Sequence, residues 1–367
     1  MRWIGSLPTL ELGQRFVRFL AADGVESAAE KSMEENCRIW VIREEDVPKA
    51  QAALEEYRVR PDDPMYMVQA PIPPLQDLGP DSLHASPIRS RVPWRPLTIF
   101  LAGLTIFIFL VQQWQGMHLR QRFTPQQMEY VQLLTPIEKE FLIQVPEGFV
   151  ALDAVMAKSN LETPPLTEAE VSTILAGQPS YVGIWGWAKQ ALGLAPRLAP
   201  SPFLPEVREG EVWRLFTPDL LHAHLLHIGF NLLWLFYLGR HVEQRLGSWR
   251  MLGLILVVGV LSNFGQYLVS GPLFYGLSGV ICGLGGFVWS RQRVAPWEGY
   301  PIPLATLHFL AGFVLLMVVV EFLLLLAELV HGPFSLGFGI ANTAHIIGGL
   351  AGIILGRLPC MRKHAVL

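Results

Sequence analysis

The pattern of apolar positions along the chain predicts six membrane-spanning helices. They are residues 97–111, 220–238, 252–269, 277–289, 304–330 and 340–358. Arginines follow the second, fourth and sixth stretches, whereas the connections 270–276 and 331–339 contain no lysine or arginine. Because basic residues concentrate on the cytoplasmic side of membrane spans, we expect both termini to be cytoplasmic. The predicted fold class is therefore mainly α, a polytopic six-helix bundle.

Residues 1–64 carry a different pattern, that of a small soluble domain with both helices and strands. A short strand at Trp3–Ile4 precedes a helix over Leu10–Ala22, whose apolar residues recur at helical spacing. A strand at Arg38–Ile42 and a helix over Glu45–Tyr57 follow. No catalytic constellation lies in this α+β segment. We therefore interpret it as a cytoplasmic accessory domain, and regulation or partner binding is the alternative.

The rest of the chain divides into a linker, a membrane domain and a tail. Residues 65–96 are rich in proline, which fixes φ and removes hydrogen-bond donors, so we expect an extended linker. The membrane domain covers 97–358 with a long first loop at 113–212, and 359–367 form a cytoplasmic tail. Within the first loop, helix starts are predicted at Thr124-Pro125, Thr135-Pro136 and Thr167, and an interfacial helix near 184–187.

Composition supports a membrane protein. Of 367 residues, 51% are hydrophobic and 16% are charged, and the mean hydropathy is +0.36. The net charge of −3 gives no indication of a nucleic-acid partner. Three scattered cysteines show neither metal-ligand spacing nor a disulfide framework. The first twenty residues lack the pattern of a cleavable signal peptide, so the spans themselves are expected to direct insertion.

Two stretches combine polar chemistry with apolar surroundings. Ser278 lies between Gly276 and Gly279 at the outer end of the fourth predicted span, and His345 lies at the outer end of the sixth. A polar or ionisable group inside a membrane is costly and indicates function, and a serine and a histidine on separate spans suit a nucleophile–base pair. Two structural alternatives remain. Ser278 and its glycines could serve only to let helices pack closely, and His345 could be a structural histidine that bonds to a backbone carbonyl oxygen.

Small residues predict how these two spans meet. Glycines recur on one face of each helix and would let the two backbones approach closely. They are Gly279, Gly283 and Gly286 on the fourth span, and Gly348 and Gly352 on the sixth. Such an approach would bring Ser278 Oγ within hydrogen-bond reach of His345.

These two motifs, with His222-x4-His227-x3-Asn231 upstream, resemble the rhomboid family of intramembrane serine proteases, most closely the bacterial GlpG type. The resemblance covers about 213–357 and, more weakly, the first 70 residues and the first span. It implies that Ser278 is the nucleophile and His345 the general base, in a dyad without a carboxylate. It also implies that His227 and Asn231 stabilise the oxyanion together with the Ser278 backbone N–H.

The resemblance assigns supporting positions as well. His222, Gly276 and Gly279 belong to the motifs, and Asn342 is expected to orient the local backbone. The pair Trp213-Arg214 matches a structural motif of the family's first loop. Two departures are present: Cys282 replaces an aromatic residue that usually stacks on the histidine, and Pro218 replaces a polar residue.

Alternative roles for the polar residues remain open at this point. His227 and Asn231 could simply hydrogen-bond between helices. His222, His224 and His227 could form a zinc site, although no fourth ligand is evident and one helix face cannot hold all three. Glu321 and Glu328 of the fifth span are given no catalytic role, and polar contacts within the bundle are expected for them.

The sequence thus predicts a serine endopeptidase that needs no cofactor or metal and cleaves transmembrane proteins in the bacterial inner membrane. A glycine-rich connection at 332–339 could form a movable cap. One alternative is a catalytically inactive rhomboid-like protein that binds membrane clients. Another is a transporter or channel, for which the expected inverted repeat is not apparent.

Overall fold

The computed structural model describes residues 2–31, 36–43, 46–68, 95–121, 133–158, 166–331 and 341–361. It divides into two compact units, Met1–Pro93 and Trp94–Leu367. Most of the predicted linker, the helix start at Thr124-Pro125 and the predicted cap at 332–339 lie outside the described residues.

The first unit is a three-stranded antiparallel sheet with two helices. Strand β3 is central, in the order β1-β3-β2. The elements are β1 Arg2–Leu7, α1 Leu10–Ala22, β2 Ser27–Lys31, β3 Cys37–Val41 and α2 Val47–Val59. The Thr9 hydroxyl accepts a hydrogen bond from the Leu12 N–H and thereby starts α1. The predicted helix Leu10–Ala22 is confirmed. Strand β2 was not predicted from the sequence pattern.

The core of this unit forms where α1 and α2 cover the sheet. Phe16 and Leu20 of α1 and Ile39 of β3 are almost completely buried. The hydroxyl of Tyr57 donates to the Leu12 carbonyl oxygen at 3.1 Å and so joins the two helices. Cys37 is fully buried beside Gly13.

The second unit is almost entirely helical. Its longer helices are α3 Pro96–Arg120, α9 Leu225–Trp234, α11 Ser248–Ser270, α12 Ser278–Val294, α13 Leu304–His331 and α14 Asn342–Leu355. Shorter helices are α4 Pro136–Phe141, α5 Glu147–Lys158, α6 Glu168–Ala176, α7 Gly183–Ala191, α8 Pro205–Arg208 and α10 Arg240–Leu246. Among the described residues, α3, α11 and α13 are long and apolar enough to cross a membrane, and α14 is a shorter apolar helix.

The second predicted span begins later than expected. The sequence pattern predicts a helix from Leu220, but Thr217–Leu220 is a 3₁₀ turn and α9 begins at Leu225. The side chain of His224 accepts a hydrogen bond from the His227 N–H at 3.2 Å and caps the helix there. The prediction was wrong because hydropathy does not distinguish buried apolar turn residues from helical ones. The helix also continues beyond Leu238, through a π-helical turn, into α10.

The first loop contains helices that are tied to the spans. The predicted starts at Thr135 and Thr167 are confirmed, since both residues form capping boxes. Buried Glu138, a partner of Thr135, accepts a hydrogen bond at 2.7 Å from Gln112 of α3. The buried Arg214 guanidinium donates to the Leu142 carbonyl oxygen at 3.0 Å, in keeping with the structural role expected of that residue.

Helix α7 of the first loop lies against the end of α11. The ring of Tyr181, just before α7, stacks on Tyr267 with centroids 4.3 Å apart. A side chain at Gly183 would meet the Val269 carbonyl oxygen, so only glycine permits this approach. The helix predicted around 184–187 is present as α7.

Helices α12 and α14 pack with their backbones in direct contact. A Cβ added to Gly348 would overlap the Gly279 carbonyl, and one added to Gly352 would overlap the Gly283 carbonyl. A Cβ added to Gly283 would meet both Val258 of α11 and the Gly348 carbonyl oxygen. The contact predicted from the glycine pattern is confirmed.

Helix α13 contacts the rest of the unit through apolar side chains such as Leu307 and Leu310 and through two carboxylates. Over its most apolar 18 residues the mean hydropathy is 2.9, and almost none of these residues is buried within the protein. Such a surface is suited to face lipid. Glu321 accepts a hydrogen bond at 2.6 Å from Asn342 of α14, and Glu328 pairs with Lys189 of α7 at 2.6 Å. Both carboxylates thus make the polar contacts that the sequence predicts.

We predict that Gly352→Ala destabilises the second unit by about 1–3 kcal/mol, because the new methyl group must separate α12 from α14. The matched control is Gly253→Ala on α11, where an added Cβ meets nothing within 4 Å. The measurement is the free energy of unfolding in mixed micelles. Equal values for the two variants would show that the contact tolerates a side chain.

We also predict slow alkylation of Cys37. Burial raises the pKa of this thiol to about 11, so its reactive thiolate is scarce at pH 8 and increases about tenfold per pH unit up to that pKa. Exposed Cys360 is the internal control. Alkylation rates at each site follow from mass spectrometry across pH. Equal rates for the two thiols at pH 8 would contradict the buried position of Cys37.

Candidate active site

Ser278 is the first residue of α12 and follows a tight turn of the chain. The preceding Gly276 has φ +124°, a conformation that residues with a side chain rarely adopt. Its N–H donates to the Pro218 carbonyl oxygen at 3.0 Å, which fixes the turn against the 3₁₀ segment before α9. Ser278 is partly exposed and lies at a helix start, where the first N–H groups have no acceptor within the helix.

His345 lies in the first turn of α14 and contacts this serine directly. Its Nε2 is 2.8 Å from Ser278 Oγ, across 67 positions of sequence. The Ala344 N–H donates to Gln266 Oε1 of α11 at 3.0 Å, which holds the first turn of α14 in place. Within the described residues, His345 Nδ1 has no hydrogen-bond partner, so no carboxylate orients the ring.

The histidine ring can therefore act as a base towards the serine. If Nε2 accepts the hydroxyl hydrogen, then Nδ1 carries the ring proton. A serine whose hydroxyl donates to a neutral imidazole has the arrangement that nucleophilic catalysis requires. The arrangement differs from a Ser-His-Asp triad, since among the described residues His345 Nδ1 has no carboxylate partner.

His227 and Asn231 lie beside the turn that precedes Ser278. They lie one turn apart on α9, so their side chains share a face. A Cβ on Gly276 would lie 2.7 Å from His227 Nε2 and 3.7 Å from Asn231 Nδ2, which places both groups beside the turn that leads into Ser278. Asn231 is 1% exposed, and its Nδ2 has no acceptor among the described residues. A buried donor of this kind is available to an oxygen of a bound molecule.

His222 and His224 lie on this side of the site, next to His227. The His222 ring is buried, with its centroid 5.0 Å from that of His227, and the His222 N–H donates to Gln112 Oε1 at 3.2 Å. His224 is engaged in capping α9. In the part of the chain that the structure describes, no three His, Cys, Asp or Glu side chains are grouped as metal ligands. The zinc alternative thus has no geometric support there.

The remaining predicted positions lie around the site. A Cβ on Gly279 would lie 2.8 Å from Ser262 Oγ, so this glycine permits the contact of α12 with α11. Asn342 points away from the serine, since its Nδ2 donates to Met317 O of α13 at 3.1 Å as well as to Glu321. Cys282 is buried one turn after Ser278, and the serine is the residue that bonds to His345.

Gln266 and Gln112 are site residues that the sequence analysis missed. Gln266 is 2% exposed and fixes the helix of the histidine, while Gln112 is 4% exposed and fixes the backbone of His222. Both are amides inside apolar helices. That signal could have identified them, because polar groups in such surroundings need partners.

Comparison with known families agrees with this geometry. Residues 209–362 match a family model described as Rhomboid domain. The matched segment contains Ser278, His345 and the His227/Asn231 face, and it includes all of α9 to α14. Members of this family are in general intramembrane serine proteases that act on transmembrane substrates. With three helices of spanning length and composition, the chain is an integral membrane protein that contains a rhomboid domain at residues 209–362.

Proposed function

We propose that this protein is an intramembrane serine endopeptidase in which Ser278 is the nucleophile and His345 the general base. The observation that carries the proposal is the 2.8 Å contact between Ser278 Oγ and His345 Nε2. This contact joins two side chains that lie 67 positions apart in the sequence.

The reaction follows from the positions of these groups. His345 Nε2 takes the hydroxyl proton as Ser278 Oγ bonds to the scissile carbonyl carbon. His345 then gives that proton to the departing amine as the C–N bond breaks, which leaves an acyl-enzyme. Water, deprotonated by the same histidine, hydrolyses the ester and restores the serine.

The oxyanion would be held by three donors. The Ser278 N–H lies at the positive end of α12, and Asn231 Nδ2 and His227 supply side-chain donors from α9. These donors are already in place before a substrate binds, so little reorganisation accompanies charge development. The polarity of His222 beside them would help admit the water that the second step consumes.

The orientation in the membrane is part of the proposal. Six spans would be α3, α9 with α10, α11, α12, α13 and α14. The start of α12 and the start of α14 would then lie at the outer side, with both termini in the cytoplasm of a bacterium and the protein in its inner membrane. The chain would comprise the accessory domain 1–64, the linker 65–96, the membrane domain 97–358 and the tail 359–367.

The substrate class follows from the depth of the site. A helix protects its carbonyl groups by hydrogen bonds, so a transmembrane substrate must unwind locally to reach Ser278. Substrates with helix-destabilising residues such as glycine or proline near the cut should therefore be preferred. The surrounding bilayer and the transmembrane substrate are the only partners the proposal requires.

We predict that Ser278→Ala and His345→Ala each lower the rate of cleavage at least about 10³-fold, because each removes one half of the proton-transfer pair. The measurement is cleavage of a fluorescent transmembrane substrate in liposomes. Exposed Ser270→Ala and His308→Ala are matched controls and should cleave normally. A folded wild type that binds the substrate without cutting it would favour a client-binding rhomboid-like protein instead.

We predict that Asn231→Ala lowers kcat about 10²–10³-fold with little change in KM, since its donor acts on charge that develops in the transition state. His227→Ala should act in the same direction. Leu233→Ala, on an exposed position of α9, serves as the control. A rise in KM with unchanged kcat for Asn231→Ala would assign that residue to substrate binding rather than to the oxyanion.

A further inference from the structure

Basic side chains gather at the end of the membrane unit that is opposite Ser278. Arg95 precedes α3, and Arg240 and His241 begin α10, where the Arg240 Nε donates to His241 Nε2 at 3.3 Å. Arg245 of α10 bonds to the Glu298 carbonyl oxygen, just beyond the C-terminal end of α12. Since Ser278 begins α12, this basic cluster lies at the other end of the bundle.

Cations lie close enough in this cluster to disfavour one another. Burial and then the charge of Arg240 lower the pKa of Arg95. His241 Nε2 accepts a hydrogen bond from Arg240, so the imidazole ring is neutral and the arginines account for the positive charge.

The nearby carboxylates of Glu243 and Glu298 bind other groups of the protein. Glu243 accepts hydrogen bonds from the Leu97 N–H at 2.9 Å, the Thr98 N–H at 2.9 Å and the Ser248 hydroxyl at 2.7 Å. It thereby caps the start of α3, where four N–H groups need acceptors. Glu298 forms a buried ion pair with Arg291. The cluster therefore keeps an excess of positive charge.

Two buried donors in the cluster lack acceptors. Among the described residues, neither Arg95 Nε nor His241 Nδ1 has a hydrogen-bond partner. Because His241 Nε2 accepts from Arg240, Nδ1 carries the ring proton and is a donor. Buried donors without acceptors are costly, and here they occur together with excess positive charge. Both observations indicate an anionic, oxygen-rich ligand.

The residues around the cluster favour a lipid phosphate over a soluble anion. Trp249, in the first turn of α11, is 85% exposed beside Ser248, which bonds to Glu243. Exposed tryptophans near the ends of spans lie at the level of lipid headgroups. The Arg240 guanidinium also lies 5.9 Å from the ring centroid of Tyr237, so its stem follows the apolar surface of the bundle. A membrane-embedded phosphate would reach this position without leaving its leaflet.

We propose that Arg95, Arg240 and His241 bind the phosphate of an anionic phospholipid in the cytoplasmic leaflet. The phosphate would bridge Arg95, before α3, and His241, at the start of α10. Its oxygens would accept hydrogen bonds from Arg95 Nε and His241 Nδ1, which have no acceptor among the described residues. The proposal rests on the proposed orientation of the spans, but not on proteolytic activity.

The test measures the preference of the reconstituted protein for spin-labelled phosphatidylglycerol over spin-labelled phosphatidylcholine. We expect R95Q/R240Q to lower that preference at least about tenfold, since each arginine near a membrane surface contributes about fivefold. R293Q/R357Q removes the same charge from other basic positions and should lower it clearly less, since among the described residues neither arginine has a buried donor without an acceptor. R95K/R240K, which keeps the charge, should retain most of the preference, and the wild type and all variants are checked for folding by thermal unfolding.

Two results would overturn the proposal. Equal losses for R95Q/R240Q and R293Q/R357Q would mean that the basic face attracts lipid only through its total charge. Displacement of the labelled lipid by inorganic phosphate, but not by chloride at equal ionic strength, would assign the cluster to a soluble phosphate. Ser278→Ala should keep the full lipid preference, so a failure of the protease proposal would leave this measurement unaffected.

Discussion

The close approach of α12 and α14 is the constraint on which the rest of the site depends. Gly348 and Gly352 face the backbone carbonyls of Gly279 and Gly283, with no room for a side chain between them. In a bilayer, where lipid tails are as apolar as the helices, packing of this kind is a main source of helix association. The same contact sets the 2.8 Å separation of Ser278 Oγ and His345 Nε2. The glycines therefore both hold the two helices together and bring Ser278 next to His345.

Buried polar groups fix the rest of the geometry. Gln266 receives the Ala344 N–H at the start of α14, and Glu243 receives those at the start of α3. Each satisfies donors that would otherwise be left unpaired in apolar surroundings. Asn231 differs from these two residues, because its buried amide donor has no acceptor among the described residues and lies beside the turn that leads into Ser278. A site that must stabilise a developing negative charge needs such a donor before the substrate arrives.

Much of the arrangement could be predicted from the sequence, for identifiable reasons. The glycine spacing on two apolar helices is a local pattern, so it predicted the α12–α14 contact and, through it, the pairing of Ser278 with His345. The capping boxes at Thr135 and Thr167 are local as well. The start of α9 could not be predicted, since the capping by His224 depends on a side-chain conformation that hydropathy does not report. Gln266 was missed because its partner, Ala344, lies 78 positions away.

The central claim is that His345 activates Ser278, and labelling by a fluorophosphonate probe followed by peptide mass spectrometry tests it most directly. The account predicts a covalent adduct on Ser278 of the folded wild type and a loss of that adduct in His345→Ala, because the alanine cannot accept the hydroxyl proton. An adduct that forms equally well in His345→Ala, or that forms on another serine, would contradict the account.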